Sequence, residues 1–360
     1  MAVLLGAMVG IVLVRALPFL GPVPAEGLYS SDSAVPVLMS NLATGGPVDW
    51  LYWGQDRFGS WPFLLARVVG ALVDRPWTPH GLHVVRTLWF VAALVPWLGL
   101  AGRGGPVAAA VFLLLPAVSP LLQRVLVDLG TVDGWQLPAL LWTWWGIRRA
   151  AEDGRSWRWL AVASGGAVLA TWTSLVSGPL LLVLALVEGR GRGLGARRRA
   201  LLVLPALLGM LVEVVVRTSW HHAVRARGWR DVRTPASLDV GHLLENAGRV
   251  AAAAWEAGAL PWLAVALVAG LAALASRRWR DSAEARTLVG AAAASFTALL
   301  LVASVRHVRE NAYHPRYLGI GFSLAVLGTS VLLGLAVRAA AARLLPQRPS
   351  LLVGGVGLGL

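Results

Sequence analysis

The chain has 360 residues, of which 57% are hydrophobic and only 14% are charged. This composition excludes a water-soluble enzyme and a disordered chain, because so much apolar surface must be kept away from water. The net charge is +14, and all 32 basic residues are arginines. They interrupt hydrophobic segments, which is typical of topology signals in membrane proteins and argues against nucleic-acid binding. The absence of cysteine excludes disulfides and thiolate metal sites.

Ten hydrophobic segments predict an all-α polytopic membrane protein, because a membrane-spanning helix needs about 20 apolar residues. No small-residue cleavage site follows the first segment, residues 2–20, which favours a retained span over a signal peptide. We expect residues 1–360 to form a single transmembrane domain without a soluble C-terminal domain. The other nine predicted spans cover residues 80–101, 106–122, 134–147, 159–174, 177–188, 200–217, 258–275, 287–305 and 317–338.

Charge decides whether residues 159–188 form one tilted helix or two short ones. With two helices and a cytoplasmic N-terminus, the inner loops hold 17 arginines and 5 acidic residues, and the outer side holds 13 arginines and 12 acidic residues. A single helix would move the arginine-rich loop 189–199 outside, so the positive-inside rule favours two. The long loops 21–79 and 218–257 then lie on the outer face, where functional groups are expected.

The first outer loop, residues 21–79, is predicted to contain two helices that lie on the membrane surface. Apolar residues between Ala34 and Ala43 are spaced for an amphipathic helix, and Ser31 or Asp32 can cap its N-terminus. A glycine-rich break follows, and residues 61–73 predict the second helix. Asp32 is therefore expected at the mouth of the membrane, where it is either a simple helix cap or a functional carboxylate.

Five elements of the sequence stand in a characteristic order, at residues 31–38, 52–60, 116–133, 170–174 and 315–318. In this order they resemble the GT-C glycosyltransferases. Within them the chain is similar to the bacterial relatives of the dolichyl-phosphate-mannose protein mannosyltransferases, glycosyltransferase family 39. The resemblance covers essentially the whole chain and implies a GT-C-like transmembrane domain. One departure is Asp32-Ser33 where many relatives have an Asp-Glu pair, which disfavours a metal site.

The resemblance implies a hexosyl or pentosyl transferase in the cell envelope. We expect no cofactor, with a bound divalent metal as the open alternative, and no nucleic-acid partner. Such an enzyme moves a sugar from a polyprenyl-phosphate carrier to a glycan, lipid or protein acceptor, on the outer face of the bacterial inner (plasma) membrane. The reaction needs a base for the attacking hydroxyl and cations for the departing phosphate. We expect Asp32 to be the base. The expected donor-phosphate residues are Arg316, Tyr317, Arg309 and Arg306, and the expected sugar or acceptor residues are Tyr52, Gln55, Asp128 and Asp133.

Two other functions stay open on the sequence. A membrane transporter or lipid flippase would explain ten spans with interior charges such as Arg15 and Glu213, and a non-catalytic assembly protein would need no site at all. Transport predicts polar residues at mid-membrane depth on several helices. Here the polar residues concentrate in the outer loops, which favours transfer chemistry. Asp128 and Asp133 can equally serve turns and helix starts.

Overall fold

The computed structural model describes residues 31–53, 58–153, 157–190, 194–228, 240–276, 279, 281–306 and 315–344. Within these ranges the chain is helical and contains two isolated β-bridges but no strand. The α-helices are α1 Ser31–Leu42, α2 Trp61–Val73, α3 Pro79–Ala92, α4 Leu94–Ala101, α5 Gly105–Val118, α6 Pro120–Val127, α7 Asp133–Asp153, α8 Trp157–Thr173, α9 Ser177–Gly189, α10 Ala196–Ala226, α11 Leu243–Glu256, α12 Leu260–Ala275, α13 Ala283–Ser304 and α14 Gly319–Leu344.

Two helices begin where the sequence supplies a hydroxyl cap followed by proline. Thr78 caps α3 by accepting the backbone N–H of Gly81 at 3.0 Å, and Ser119 caps α6 by accepting that of Leu122 at 3.1 Å. A proline follows each cap directly, at a position where its missing N–H has no helical partner to lose. Short local signals therefore set these helix starts before any packing is considered.

The helices of the bundle alternate in direction. Gln136 near the start of α7 donates to Ser177 at the start of α9 (2.9 Å), and Trp144 further along α7 donates to Glu188 near the end of α9 (2.9 Å). Helices α7 and α9 are therefore parallel, whereas Gly146 late in α7 lies against the early part of α8. It follows that the chain reverses between α8 and α9, and the prediction of two helices in this region is confirmed.

This alternation gives the bundle two ends. The loop end holds α1, α2 and the turns at 128–132, 174–176 and 315–318. The arginine end holds the connections α4–α5, α7–α8, α9–α10 and α12–α13. The described parts of the loops that the charge count assigned to the outer side share one end, and the described parts of the loops assigned to the inner side share the other.

Small residues bring α7, α8 and α10 into close contact. A Cβ at Gly166 would lie 2.6 Å from Oγ1 of Thr143, and a Cβ at Gly209 would lie 2.8 Å from the carbonyl oxygen of Ala167. These distances leave no room for a side chain, so glycine at both positions sets the helix separation. Helices in membranes associate through such small-residue contacts, because apolar burial against lipid gives little driving force.

The chain is an integral membrane protein by the length and composition of its helices. In the described ranges, four segments are long and apolar enough to cross a membrane: 79–118, 196–226, 283–304 and 316–343. The pair α11 and α12, bent by 112°, makes a fifth if it is counted as one span. The predicted number of ten spans is not confirmed, because α8 and α9, with 17 and 13 residues, are not among the described segments that meet the length and hydropathy of a span. The predicted first span, residues 2–20, lies outside the described residues.

Both helices predicted in the first outer loop are present, as α1 and α2. Each leaves large apolar side chains uncovered: Leu42 is 62% exposed and Leu72 is 80% exposed. On a membrane protein such surfaces are suited to contact with lipid. The side chains of Ser31 and Asp32 lie outside the described part, so the predicted cap stays a prediction.

The two ends of the bundle can be assigned to the two sides of the membrane by single cysteines, because the natural chain has none. A Cβ at exposed Gly195 (arginine end) or Gly248 (α11) meets no other atom within 4 Å. In intact cells of the expression host, we expect an impermeant maleimide to label Gly248→Cys and to spare Gly195→Cys until the membrane is permeabilised. Labelling of Gly195→Cys from outside would contradict the charge-based orientation.

Candidate functional site

The loop end is the candidate site, and its first element is the turn that follows α1. The Asp49 carboxylate is buried and accepts four hydrogen bonds: Oδ2 from the backbone N–H and the hydroxyl of Thr44 (2.7 and 2.8 Å) and from the N–H of Gly45 (3.1 Å), and Oδ1 from the indole of Trp53 (2.9 Å). Gly45 has a φ of 80°, which glycine adopts without strain. Asp49 thus fixes the backbone that leads into the Tyr52–Trp53 segment.

The same loop is joined to the break between α8 and α9. The N–H of Gly59 donates to the carbonyl of Thr173 (3.2 Å), and the indole of Trp61 donates to the Thr173 hydroxyl (2.7 Å). From the side of the α8–α9 break, the indole of Trp172 donates to the carbonyl of Trp50 in the first loop (2.8 Å). A Cβ at Gly59 would overlap the Trp172 carbonyl, at 1.8 Å, so only glycine fits there. The element 170–174, which the sequence singled out, therefore holds the first loop in position.

An aromatic cluster packs the first loop against the start of α7. Tyr52 is 4% exposed, and its ring meets that of Phe63 edge to face at 6.1 Å. Trp135 on α7 lies 6.2 Å from Phe63 and 6.1 Å from Trp61, again edge to face. Such pairs stabilise beyond their buried area. Sugar binding by Tyr52 stays a prediction, since its ring belongs to this packed cluster.

Arg86 on α3 is a buried cation that no sequence motif singled out. Its Nε and Nη2 donate to the carbonyls of Leu126 and Val125, both at 3.1 Å, and Nη2 also donates to the Thr131 hydroxyl at 3.1 Å. Its Nη1 donates to the carbonyl of Asp128. The guanidinium therefore satisfies the open carbonyls at the C-terminus of α6, where the helix dipole also favours a cation.

Asp128 and Asp133 flank this arginine and play different parts. Asp128 accepts the N–H of Gly130 on Oδ1 at 2.9 Å, which is ordinary turn chemistry. Asp133 is buried, and its carboxylate accepts the backbone N–H of Ile320 at the start of α14. A Cβ at Gly319 would lie 2.8 Å from Asp133 Oδ1, so glycine makes room for this contact. Asp133 therefore joins the start of α7 to the start of α14, beside Arg86.

Arg316 and Tyr317 lie in the short turn that precedes α14. The Arg316 guanidinium is exposed, lies 5.1 Å from the centre of the Tyr317 ring and donates to the Tyr317 hydroxyl at 3.3 Å. Arg306, just after α13, is also exposed at the loop end. The contact of Asp133 with α14 brings the Arg316–Tyr317 turn next to the 128–135 region.

The predicted site residues thus divide into three groups. Asp133, Arg316 and Tyr317 come together around the start of α14, and Tyr52 reaches the same end through the aromatic cluster that contains Trp135. Asp128 lies in the adjoining turn. Gln55, Arg309 and the side chain of Asp32 lie outside the described residues. Within the described ranges, no group of three or more His, Cys, Asp or Glu residues is arranged to hold a metal ion.

Two signals in the sequence could have identified the residues that organise this site. Arg86 stands inside a predicted span, and an ionisable residue within an apolar segment is a functional or structural candidate by default. Asp49 follows a Thr-Gly-Gly turn closely enough to accept its N–H groups, a pattern typical of carboxylate-stabilised turns. The partner of Trp61, the Thr173 hydroxyl, lies 112 positions away and no local pattern reveals it.

Comparison with known proteins identifies the fold. No protein-family model and no curated protein sequence matches the chain. Among solved structures, the Archaeoglobus fulgidus oligosaccharyltransferase tethered to an acceptor peptide with an NVT sequon matches 96% of this chain at 11% identity, with a TM-score of 0.51. The same enzyme in complex with zinc and sulfate matches 96% of this chain at 13% identity, with a TM-score of 0.47. AglB from this organism, in complex with an inhibitory peptide and a dolichol-phosphate, matches 96% of this chain at 12% identity, also with a TM-score of 0.47.

The likeness to the first of these structures shows that the chain has the GT-C fold, as the resemblance implied. The chain spans about half the length of the archaeal enzyme, with 51% of that protein covered. Membership of glycosyltransferase family 39 is not confirmed by these comparisons.

The hydrogen bonds of Arg86 predict a large stability effect. Replacement of Arg86 by Met removes the donor for several buried carbonyls, so we expect the free energy of unfolding to fall by about 3 kcal/mol or more. Arg124→Gln is the matched control on α6, because Arg124 is exposed, and it should change stability by less than about 0.5 kcal/mol. Thermal unfolding in detergent measures both. Equal effects of the two substitutions would show that the buried network contributes nothing specific.

Proposed function

We propose that this protein is a glycosyltransferase that moves a sugar from a polyprenyl-phosphate carrier to an acceptor. The observation that carries the proposal is the GT-C fold, matched along 96% of the chain by an oligosaccharyltransferase. That archaeal enzyme was solved with an acceptor peptide tethered to it. For the present chain the hexosyl or pentosyl donor, the acceptor class and the polyprenyl carrier are our inference.

The chemistry of the loop end supports this proposal. Glycosyl transfer from a lipid phosphate needs a base, cations for the phosphate and an apolar surface for the lipid chain. The loop end has an exposed arginine at Arg316, and the uncovered apolar side chains of α1 and α2 lie at the same end. The reaction would take place on the outer face of a bacterial inner membrane, with the N-terminus in the cytoplasm.

We assign the donor phosphate to Arg316 and Tyr317, with Arg306 and Arg309 as secondary contacts. An arginine stays charged near a low-dielectric boundary and binds phosphate oxygens through two parallel N–H groups. Arg316 is exposed and held against the Tyr317 ring, so its guanidinium is partly oriented before any ligand binds. The contact between Asp133 and α14 holds the turn that carries both residues in place.

We assign the role of base to Asp32. It lies in the first turn of α1, and α1 packs against α2 at the loop end. A carboxylate there would take the proton of the attacking hydroxyl, which accelerates such reactions about 10²–10⁴-fold. Tyr52, Gln55 and Asp128 are proposed to contact the sugar or the acceptor. Asp133 is also proposed to contact the sugar or the acceptor, and it holds the start of α14 in position as well.

The role of Asp32 is tested by sugar transfer from radiolabelled polyprenyl-phosphate hexoses and pentoses in membranes that contain the protein. We expect Asp32→Asn to lower transfer at least ~100-fold at unchanged abundance, because Asn keeps the size and helix-start preference of Asp but cannot take a proton. The matched control is Asp74→Asn, an exposed residue of the same loop with a φ of 51° that Asn tolerates. Transfer by Asp32→Asn above about a tenth of wild type would remove Asp32 from the mechanism.

The role of Arg316 is tested by a charge-conserving change. Arg316→Lys replaces the two-pronged contact by a point charge, so we expect the KM for the polyprenyl-phosphate donor to rise about tenfold. Arg249→Lys serves as the control, because Arg249 is exposed on α11 and pairs with Glu245 at 2.5 Å. Equal and small effects at both positions would mean that the donor phosphate binds elsewhere.

A further inference from the structure

At the arginine end, the ends of α7, α8, α9 and α10 meet and present six arginines on one surface. A small apolar core that includes Ile147, Ala163, Ala185 and Leu202 holds these four helix ends together. Five of the arginines lie in the helix ends around this core, and one lies in the connection between α9 and α10. This surface, the arginine patch, consists of Arg149, Arg158, Arg190, Arg197, Arg198 and Arg199.

The chain neutralises little of this charge. Among the described residues, Arg149 has one acidic partner, Glu152, at 3.7 Å, and its buried Nε has no hydrogen-bond acceptor. Within the described ranges no carboxylate forms an ion pair with Arg158, Arg190, Arg197 or Arg199.

The nearest buried acid, Glu188, is already engaged. It is fully buried, and its Oε1 accepts from Nη2 of Arg148 at 2.5 Å and from the indole of Trp144 at 2.9 Å. Its Oε2 lies 3.4 Å from Nε of Arg286, another buried cation. Two arginines therefore share this carboxylate, and none of its charge is left for the patch on the surface.

An exposed apolar strip continues directly from the patch along α10. Leu204, Leu207, Leu211 and Val215 are each 50% to 59% exposed and recur every three or four residues on one face of the helix. Leu204 follows Arg199 by five positions, a rise of about 7.5 Å along the helix axis. Trp157, 72% exposed at the start of α8, adds an indole at the level of the arginines, where membrane proteins concentrate tryptophan.

We propose that the arginine patch binds the headgroups of anionic phospholipids in the adjoining membrane leaflet, while their acyl chains lie along the exposed strip of α10. The cations match the phosphate of the headgroup, and the apolar strip matches the chains that follow it. A soluble phosphate would use only the first of these features, which is why a lipid is the favoured occupant. This binding does not depend on the proposed sugar transfer.

The test follows the thermal unfolding of the full chain in detergent while phosphatidylglycerol or phosphatidylcholine with the same acyl chains is added. We expect phosphatidylglycerol to raise the unfolding midpoint in a saturable way and phosphatidylcholine to have little effect. Replacing Arg197, Arg198 and Arg199 together by Gln should weaken the apparent affinity for phosphatidylglycerol at least about tenfold. High salt should weaken the wild-type response as well, because exposed charges are screened.

Two further variants keep the test decisive if the triple variant folds poorly. Arg158→Gln with Arg190→Gln removes two charges of the patch from other segments and should also weaken the response. Arg338→Gln with Arg343→Gln is the control, because both residues are exposed near the end of α14, outside the patch, and this pair should respond like wild type.

Equal shifts with both lipids, or an unchanged response in both patch variants, would overturn the proposal. An equal shift with glycerol 3-phosphate alone would show an anion site that takes no lipid and would overturn it too. All readouts are independent of glycosyl transfer, so failure of the proposed enzymatic function would leave this result standing, and the reverse holds as well.

Discussion

The contact between the Asp133 carboxylate and the start of α14 is the interaction on which the loop end depends. The first N–H groups of a helix have no partner within the helix and carry partial positive charge, so a buried carboxylate there is stabilised. The N–H of Ile320 meets Asp133, and Gly319 leaves the space that this approach requires. Because Asp133 also begins α7, one side chain fixes the distance between two helices. The Arg316–Tyr317 turn, immediately before α14, is positioned as a consequence.

Arg86 makes this arrangement possible in a low-dielectric setting. A buried carboxylate without a nearby cation would be strongly unfavourable, and a buried guanidinium needs its donors satisfied. Arg86 lies near Asp133, where it offsets part of the cost of burying that carboxylate, and its own donors are satisfied by the carbonyls that end α6. At the opposite end of the bundle the buried carboxylate is Glu188, and its ion-pair partner is Arg148. The polar networks at the two ends leave the apolar helix faces between them for lipid and for packing.

Local signals in the sequence predicted the helices well, and long-range contacts limited what they could predict about the site. Helices α1 and α2, the reversal between α8 and α9 and the sharing of ends by the loops follow from periodicity, capping residues and charge. The number of spans does not follow, because apolar composition alone does not fix the length of a helix: α9 is apolar but has only 13 residues. Asp133 and Arg316 could be chosen as polar outer residues. The proximity of Asp133 and Arg316 could not be predicted, because it depends on a contact between residues 133 and 320.

Binding of a lipid-linked phosphate at the loop end, beside Arg316, is the step on which the proposed transfer depends. Photo-crosslinking tests it most directly: a polyprenyl phosphate with a photoreactive group near the phosphate is irradiated with the purified protein, and the modified peptides are mapped by mass spectrometry. We expect adducts in the peptide that contains Arg316 and Tyr317, and their loss in competition with unlabelled polyprenyl-phosphate sugar. Adducts confined to the arginine end, or adducts that the unlabelled donor does not displace, would contradict binding at this site.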